Sequence, residues 1–487
     1  MHRYLFFLFI SYASVAQSVP KEGSMLNYRI IGFSVPSVAS ASAYKLEVAK
    51  GNFTSEDDFK RNVTVAQTGD KSRIIAEVSS FSSNYTWRIT SLAGEVVKAT
   101  SPLYHFGIGT IPDIDTARAR LRIITEATKY KDGYIFIESN KALYDMKGEP
   151  IWYLPNTDEV PIDLKLSTSG TITFIDANKL YEVDYNGHIL WHHDAPTTAE
   201  GFHHEFTRMN NGHYMALGNT REYWKLPAAK NQVAHSAADS ERYYQSMLFG
   251  NIGEYNEHGD KVWSWNSSKY IKNSDIIDSK TADGKFDIDL HENSFYFDEK
   301  NKNIYVNFRV ISRIVKIKYP EGKVLNSYGP VYVPGKSIRM AGELFCNEHS
   351  VRRSKKGFLY LFNNNICQAP FVPKIILVEE PKNGQGELKK IWEYECTIEN
   401  PERFNGRAMR FNKGGNVTEL PDESLFVSMG EPYSKMFIVN KNKEILWSAV
   451  AEKLNLSTNT WEDQGLYRAS IIVSGKDLEK LIWNAGN

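Results

Sequence analysis

The sequence has few cysteines, no excess charge of either sign and almost no long apolar run. Its 487 residues include three cysteines and no Cys-x-x-Cys motif, so a structural zinc site is not indicated. Lys+Arg and Asp+Glu each number 58, which creates no overall field favouring nucleic acid or an anionic membrane. Beyond the first residues, no stretch is apolar enough to span a bilayer. These absences leave a globular chain whose function must come from local features.

The one long apolar run begins the chain and has the features of a secretory signal. Arg3 gives the charged start, and Ser14 and Ala16 are the small residues before a cut. No cysteine lies near that point to carry a lipid. We therefore predict a signal peptide over residues 1–17, a periplasmic or secreted protein, and no membrane anchor. An exported chain can form a disulfide, and Cys346 and Cys367, in one predicted unit, are the preferred pair.

Residues 24–108 form one compositional block of short alternating runs. Runs such as "AYKLEV" and "YTWRI" are separated by turns rich in Gly, Ser and Asn. This pattern predicts a small N-terminal β-sandwich that resembles a fibronectin type III or immunoglobulin-like domain, with Tyr85 and Trp87 in its core. The segment "GIGTIPDID" then reads as a linker.

From residue 113 onward a different pattern repeats. An acidic or amide turn is followed by an apolar pair that ends in an aromatic residue, at Trp152, Trp191, Trp263, Tyr328, Trp392 and Trp447. Six such units of four strands predict an all-β fold, a six-bladed β-propeller over residues 113–487. In the third unit we read "HEFTRM" as innermost, then "HYMALG", "LFGNIGEYN" and "KVWSW". The tail "GLYRASIIVSGKDLEKLIW" is predicted to add strand and close the ring on the first unit. Seven blades are the alternative if it forms a full unit.

Histidines recur where predicted inner strands begin, in "GFHHEFTRM", "DIDLHENSF" and "CNEHSVRR". Inner strands of a propeller start at one mouth of the central channel. Reading that position around the ring gives Thr125, Asp163, His204, His291, His349 and Gly415. The three histidines are therefore predicted to converge. Strand alternation lets only one of the neighbours His203 and His204 face the axis, and the spacing to a turn glycine favours His204.

Further polar residues accompany these histidines. Asn293 stands two residues after His291 and is predicted to point to the same side of its strand. Arg309 follows on the returning strand, and Lys413 precedes the sixth inner strand. Imidazole, guanidinium, amide and ammonium groups with few carboxylates are typical of an anion receptor. An ordinary salt bridge between blades is the alternative for Arg309.

These motifs resemble those of the bacterial aryl-sulfate sulfotransferases, exported enzymes that use no nucleotide sulfate donor. The matching segments are "LHENS" with the arginine eighteen residues later, "NEHS", "HHEF" and "KGGNVTEL". The resemblance covers nearly the whole mature chain and implies a β-sandwich before a six-bladed propeller. Two features depart from the family: Gly414 stands where threonine is common, and Cys346 and Cys367 do not clearly reproduce its cysteine pair.

The resemblance implies a sulfuryl transfer from a phenolic sulfate ester to a phenol by a ping-pong mechanism. His349 would be the sulfated nucleophile, with His204, His291 and Arg309 as further catalytic residues and Asn293 and Lys413 as substrate-binding residues. A neutral imidazole can take the sulfuryl group, and the cationic donors can hold its oxygens. Lys413 or another histidine would protonate the leaving phenolate. The expected partners are a small aryl sulfate and a phenol, with no cofactor, no metal and no nucleic acid; a homodimer through the sandwich is compatible with the sequence.

The same residues are also compatible with three other functions. Three histidines can bind zinc or copper, which would make a histidine–metal propeller enzyme, although nearby Arg309 and Lys413 disfavour a cation. A second alternative is a non-catalytic secreted propeller that binds carbohydrate or protein. A quinone-dependent dehydrogenase is a third, but its acidic metal-binding pattern is not evident. Phe345, Tyr433 and Trp224 are candidates to hold aromatic rings.

Overall fold

A computed structural model describes residues 18–110, 118–155, 157, 159–196, 201–225, 244–272, 275, 289–329, 344–382, 386–399, 401 and 412–485. The predicted signal peptide and the linker from residue 111 lie outside the described residues. Strands dominate the described chain, so the all-β prediction is confirmed. The chain divides into two compact units, Met1–Ile111 with Ile482–Asn487, and Pro112–Leu481. Among the described residues, no helix is both long enough and apolar enough to cross a membrane.

The first unit contains two sheets and one short helix. Its elements are β1 (Ser24–Leu26), β2 (Ile30–Ser34), β3 (Ala43–Lys50), α1 (Glu56–Arg61), β4 (Val63–Gly69), β5 (Arg73–Glu77), β6 (Ser83–Ala93), β7 (Val96–Thr100) and β8 (Tyr104–Ile108). The larger sheet has the order β1-β8-β6-β3-β4 with β7 on β6, and β2 pairs with β5. Phe33 of β2 meets Trp87 of β6 edge to face at 5.3 Å, so an aromatic core joins the two sheets.

The second unit begins with strand β9 (Ala119–Thr125), and the described residues then form six antiparallel sheets. The first sheet contains β10 (Tyr134–Ile137), β11 (Ala142–Asp145) and β12 (Pro150–Tyr153). The second contains β13 (Ile162–Leu166), β14 (Ile172–Asp176), β15 (Lys179–Val183) and β16 (Ile189–Asp194). The third contains β17 (Phe202–Arg208), β18 (Tyr214–Lys225), β19 (Tyr244–Tyr255) and β20 (Lys261–Asn266), which is the strand order predicted for that unit.

In the remaining sheets, too, strands that follow one another along the chain lie next to one another. The fourth contains β21 (Glu292–Asp298), β22 (Asn303–Phe308), β23 (Arg313–Lys318) and β24 (Lys323–Tyr328). The fifth contains β25 (His349–Arg353), β26 (Leu359–Asn363), β27 (Lys374–Glu379) and β28 (Lys389–Glu395). The sixth contains β29 (Asn416–Glu419), β30 (Leu425–Ser428), β31 (Lys435–Val439), β32 (Ile445–Asn455) and β33 (Thr460–Asp463). The last elements are β34 (Ala469–Ile472) and helix α2 (Gly475–Asn484).

The tail of the chain completes the first sheet. Strand β34 pairs with β10, so that Ile471 lies opposite Ile135, and it becomes the inner strand of that sheet. Strands β34, β13, β17, β21, β25 and β29 then contact one another in sequence, and β29 returns to β34. The predicted closure by the tail is therefore confirmed for β34, whereas the following residues form α2 and not strand.

The reading of Thr125 as an inner-strand residue was wrong. Strand β9 pairs with β32 of the sixth sheet, and Thr125 lies opposite Ser448, with a hydroxyl–hydroxyl distance of 2.9 Å. The first strand of this unit, β9, therefore extends the sixth sheet, and its last strand, β34, completes the first sheet. Long-range pairing of this kind leaves no local signal in the sequence.

The aromatic residues that marked the units connect neighbouring sheets. Each lies in the fourth strand from the inner edge of its sheet. The indole N–H groups donate to carbonyls of the next sheet, Trp152 to Tyr185, Trp263 to Pro320, Trp392 to Lys441 and Trp447 to Met146, at 2.6–3.0 Å. Trp191 stacks on Tyr214 at 3.7 Å, and the Tyr328 hydroxyl donates to Glu380 at 2.6 Å. The repeat thus marks inter-sheet contacts, which explains its regularity.

Side chains on the inner strands also accept hydrogen bonds from the backbone of their neighbours. The Phe206 N–H donates to Asp163 at 2.8 Å, and the Ser350 N–H donates to the Ser294 hydroxyl at 3.1 Å. The Val417 N–H in turn donates to the Ser350 hydroxyl at 3.3 Å. These bonds satisfy backbone N–H groups of the inner strands and connect each of these strands to its neighbour.

Candidate active site

The structure brings the three predicted histidines together around a tyrosine. The rings of His204 and His291 lie 4.9 Å apart between centroids. The ring of Tyr467 lies 5.4 Å from His204 and 6.0 Å from His349. His204 and His291 have φ values of 63° and 58°, and the pairing of their strands shifts register close by. Such β-bulges aim side chains away from the regular alternation, here toward the same cluster.

His349 is the most enclosed member of this cluster, with 1% of its surface exposed. Its Nδ1 lies 2.6 Å from the side-chain oxygen of Asn364. The backbone N–H of Gly414 donates to its Nε2 at 3.3 Å. Both ring nitrogens therefore have defined partners, and Nε2 is the nitrogen that accepts a hydrogen bond.

The surroundings of His349 keep its ring neutral. Burial, followed by the positive charges of Arg309 and Arg468, holds the pKa of His349 well below its usual value. The pKa of His204 is likewise lowered by burial and by its histidine neighbours, and burial lowers that of His203 to about 4. A neutral imidazole has a free lone pair and can act as a nucleophile.

The neutral state of His349 predicts a pH-dependent stability. An unfolded chain binds a proton at this histidine below about pH 6.5, and the folded chain does not, so acid removes stability from the wild type. We expect the unfolding free energy of wild type minus that of His349→Asn to fall by about 1.4 kcal/mol per pH unit below pH 6.5. Urea unfolding at several pH values measures this difference. His258→Asn, at an exposed position, is the control and should leave the pH dependence as in wild type.

His291 is oriented by an aspartate that the sequence reading passed over. Its Nδ1 lies 3.1 Å from one carboxylate oxygen of Asp289, and its backbone N–H donates to the other at 2.7 Å. Burial would raise the pKa of Asp289, but the hydrogen bond and charge of His291 lower it. The signal for Asp289 is its position two residues before the histidine in "DIDLHENS". An aspartate on Nδ1 fixes the ring and stabilises positive charge that develops on it.

His203 lies beside His204, at the edge of the cluster. The Nδ1 atoms of the two rings are 2.5 Å apart, and Nε2 of His203 is 2.7 Å from the side-chain oxygen of Asn219. It is His204 whose ring contacts His291 and Tyr467. His204 is therefore the neighbour whose ring lies in the cluster, and His203 contacts the cluster through it.

Arg309 follows strand β22, and its backbone N–H donates to the carbonyl of His291 at 3.0 Å. Its guanidinium lies close enough to His349 to contribute to the lowered pKa of that ring. Arg309 thus adds positive charge to the surroundings of the candidate nucleophile. This charge also disfavours a metal cation at the same point.

Asn293 lies in a buried hydrogen-bond network near the start of β21. Its side chain is fully buried, and its Nδ2 donates to the carbonyl of Glu348 at 2.9 Å. Asn307 donates to its oxygen at 3.0 Å. His291 has a left-handed φ of 58°, and the strand pairing shifts register between Glu292 and Ser294, so the regular strand alternation is interrupted between His291 and Asn293. Asn293 holds the residue before His349, and this contact is a positioning one.

The ammonium of Lys413 is paired with an acidic side chain and largely exposed. Its side chain is 56% exposed, and Nζ pairs with Glu431 at 3.1 Å. The next residue, Gly414, reaches His349 through its backbone. Gly414 has a φ of 73°, and an added Cβ would stand 2.4 Å from the Tyr467 carbonyl, so a side chain cannot be accommodated here without movement.

The aromatic candidates for ring binding were wrong. Phe345 and Tyr433 are each 3% exposed and belong to hydrophobic clusters between sheets. Trp224 packs against Phe249 at 4.7 Å in a third such cluster. Tyr467 is the aromatic residue that lies between His204 and His349. The sequence reading missed it because the tail was not placed on the inner edge of the first sheet.

Arg468 is a second residue that the sequence reading missed. It is 3% exposed and donates to the carbonyls of His204 and Asn293, each at 2.6 Å. It also pairs with Glu205 at 3.0 Å. Burial would raise the pKa of Glu205, but Arg352, Lys165 and Arg468 hold it well below its usual value. Arg468 thus ties together the strands that carry His204 and Asn293.

A polar cavity of about 240 Å³ adjoins this network, and its lining includes Glu205, Arg352 and Arg468 but none of the three histidines. Burial and then the charge of Asp163 raise the pKa of Glu138, another lining residue, to about 8. Within the lining, Glu205 pairs with Lys165, Arg352 and Arg468.

A disulfide joins the two segments that position His349. Cys346 and Cys367 are bonded, with their Cα atoms 6.2 Å apart, which confirms the preferred pairing. The bond links the residues before His349 to those after Asn364, and Cys396 is a buried free cysteine. Across the described residues, no group of three or more His, Cys, Asp or Glu side chains is arranged to hold a metal ion.

Three solved structures illustrate what the chain is similar to. A protein from Lactobacillus plantarum is 12% identical, with coverage of 70% of this chain and 99% of that one and a TM-score of 0.35. Apo AztD from Citrobacter koseri is 8% identical (88% and 98% coverage, TM-score 0.33). The periplasmic gluconolactonase PpgL of Pseudomonas aeruginosa is 10% identical (88% and 99% coverage, TM-score 0.28). A search of curated proteins finds no match.

The family is established by a family model and not by these structures. The model of the arylsulfotransferase family (ASST) matches residues 122–376, which include His204, His291, Arg309 and His349. The match covers just over half of the 487 residues. This chain therefore belongs to the arylsulfotransferase family.

Proposed function

We propose that the protein transfers a sulfuryl group from a phenolic sulfate ester to a phenol, without a nucleotide donor, through a sulfated His349. In this proposal the six sheets are the blades of a six-bladed propeller that carries the site, and the N-terminal unit is a β-sandwich domain. The observation that supports it best is the buried His349, whose Nε2 accepts a hydrogen bond and whose pKa is held low by burial and by the charges of Arg309 and Arg468.

In the first half-reaction, the Nε2 lone pair of His349 attacks the sulfur of the ester. The S–Nε2 bond forms as the S–O bond to the aryl group breaks, and the electron pair leaves on the phenolate oxygen. A neutral nucleophile is needed because a protonated ring has no lone pair at Nε2. Burial and the charges of Arg309 and Arg468 supply that state near neutral pH.

The sulfonyl oxygens need donors that are in place before the reaction. Arg309 contributes positive charge, and His204 contributes a ring that, like His349, neighbours Tyr467. The Gly414 N–H, which bonds Nε2 in the free enzyme, becomes available to a sulfonyl oxygen once Nε2 is bonded to sulfur. Preorganised donors of this kind stabilise charge that develops in a transition state.

We assign protonation of the leaving phenolate to His291. Its Nδ1 is held by Asp289, and its ring is 4.9 Å from His204, within the cluster. In the second half-reaction the same ring takes the proton of the phenol, whose oxygen attacks the sulfur and regenerates free His349. Lys413, the other candidate, pairs with Glu431 and serves in this proposal only through electrostatic attraction of the anionic substrate.

The remaining parts of the proposal follow from the same site. Asn293 acts on His349 through the Glu348 carbonyl and not by touching the ester. We propose no cofactor and no metal, since a fixed guanidinium makes the cluster positive where a cation would have to bind.

The N-terminal signal features support a periplasmic or secreted location, and the sandwich unit remains the proposed surface for a homodimer.

The test is to mix the purified protein with a chromogenic aryl sulfate and a phenol, without nucleotide. Phenol release that depends on the acceptor, with sulfation of the acceptor, is the expected result. Incubation with donor alone should add the mass of one SO3 group to the peptide that carries His349. Release of free sulfate in place of acceptor sulfation would show a hydrolase and overturn the proposal.

A further inference from the structure

We propose that Asn364, held in turn by Asn412, is a positioning residue that fixes His349 in the tautomer with its proton on Nδ1 and its lone pair on Nε2. This inference rests on the proposed function, because it names the ring nitrogen that would react and the contacts that keep that nitrogen unprotonated. Neither asparagine belongs to the residues that the sequence motifs pointed to.

The orientation of Asn412 is set by a backbone carbonyl. Its Nδ2 donates to the carbonyl of Asn364 at 3.0 Å, and a carbonyl can only accept. The Asn412 oxygen therefore faces the other way, toward Asn364, whose Nδ2 donates to it at 2.7 Å. Both side chains are fully buried, so water cannot replace these partners without cost.

A second carbonyl fixes Asn364 independently. Its Nδ2 also lies 3.2 Å from the carbonyl of Gly414. With both amide hydrogens used, the Asn364 oxygen is the atom that faces His349, at 2.6 Å from Nδ1. An amide oxygen only accepts, so Nδ1 must carry the proton. The Gly414 N–H on Nε2 agrees with this result, because it requires a lone pair there.

An amide is a chemically suitable acceptor for this proton. When Nε2 bonds to sulfur, the ring becomes a cation that keeps its Nδ1 proton, and the amide stabilises it without removing that proton. The sulfated ring therefore keeps its positive charge and remains a good leaving group for the acceptor phenol. A carboxylate at the same place would draw the proton and would also favour protonation of the free ring.

The first measurement is the nitrogen NMR spectrum of protein with ¹⁵N-labelled histidine, with the His349 signals assigned by their loss in His349→Asn. A protonated Nδ1 and an unprotonated Nε2 are expected in the free protein near neutral pH. In Asn364→Ala the two tautomers should mix, and the rate of the first half-reaction should fall by about 10-fold or more; a wrong tautomer in a serine protease triad costs about 10⁴.

Asn364→Asp distinguishes an effect on the His349 tautomer from an effect on packing. It keeps an acceptor for Nδ1, so the tautomer should stay as in wild type, whereas the acid limb of the pH–rate profile should move to higher pH. Arg309, Arg468, His204, His291 and Tyr467 face the same ring and are unchanged, so the movement reports on residue 364. The control is Asn140→Ala, which removes an equally buried amide bonded to Tyr144 at 2.8 Å in the first sheet, and should change neither readout.

The outcomes separate the two proposals. A wild-type spectrum with the proton on Nε2, or an Asn364→Ala first half-reaction as fast as that of Asn140→Ala, would overturn the role of Asn364. Absence of sulfuryl transfer in the wild type would instead overturn the proposed function. The spectrum of the free protein would still decide the tautomer in that case.

Discussion

His349→Asn is expected to lower the kcat/KM of sulfuryl transfer by roughly 10⁴-fold or more, because the nucleophile that divides the reaction into two steps is gone. The peptide that contains residue 349 should then carry no SO3 after incubation with donor. Asparagine is the informative replacement, since its Nδ2 can still donate to Asn364 in place of Nδ1. Turnover of a chromogenic aryl sulfate and mass spectrometry of the digested protein measure both effects.

The matched control for this variant is His203→Asn. His203 neighbours the cluster through His204 and Asn219 but has no contact with Tyr467 among the ring contacts of the described residues. We expect a loss of no more than about 10-fold, from a less well supported His204. If His349→Asn kept activity within about tenfold of the wild type, the nucleophile would have to be assigned to another residue.

Arg468→Met is expected to lower the free energy of unfolding by about 3–5 kcal/mol, because Glu205 stays buried and loses a charged partner. The carbonyls of His204 and Asn293 lose their donor in the same change. Methionine retains much of the volume, so the loss should reflect charge and hydrogen bonding more than a cavity. Urea unfolding followed by tryptophan fluorescence measures the effect.

Arg61→Met provides the comparison for Arg468. Arg61 is 68% exposed and pairs with Asp58, which is 53% exposed, so its loss should cost less than about 1 kcal/mol. Equal stability of the two variants would mean that the buried network does not depend on Arg468. Arg468→Lys should fall between them, because an ammonium keeps the charge but cannot serve both carbonyls and Glu205 in the same planar geometry.

Periodicity predicted those parts of the fold that repeat. The aromatic markers ending at Trp152, Trp263 and Trp447 identified fourth strands correctly, because each reaches the next sheet and its spacing to a turn is constrained. The histidines were found for a similar reason. Each stands within two residues of the start of an inner strand, where the chain reaches the same region of the ring.

The errors arose where local pattern and long-range pairing disagree. Thr125 looked like an inner-strand residue because it begins the first unit, but the strand that holds it extends the sixth sheet. Arg468 and Tyr467 were therefore overlooked, as the tail was treated only as closure. Alternation alone predicted that Asn293 and His291 point to the same side of their strand, and the left-handed φ of 58° at His291 interrupts that alternation. Such backbone conformations cannot be read from composition.

The pairing of β34 with β10 has a consequence for biosynthesis. Residues near position 135 leave the ribosome more than 300 positions before those near 470, yet they are hydrogen-bonded partners. Until the segment that carries Tyr467 and Arg468 has been synthesised, the first sheet lacks its inner strand and β10 keeps an open edge. A chain stalled before residue 467 would therefore leave that edge unpaired and would lack both side chains.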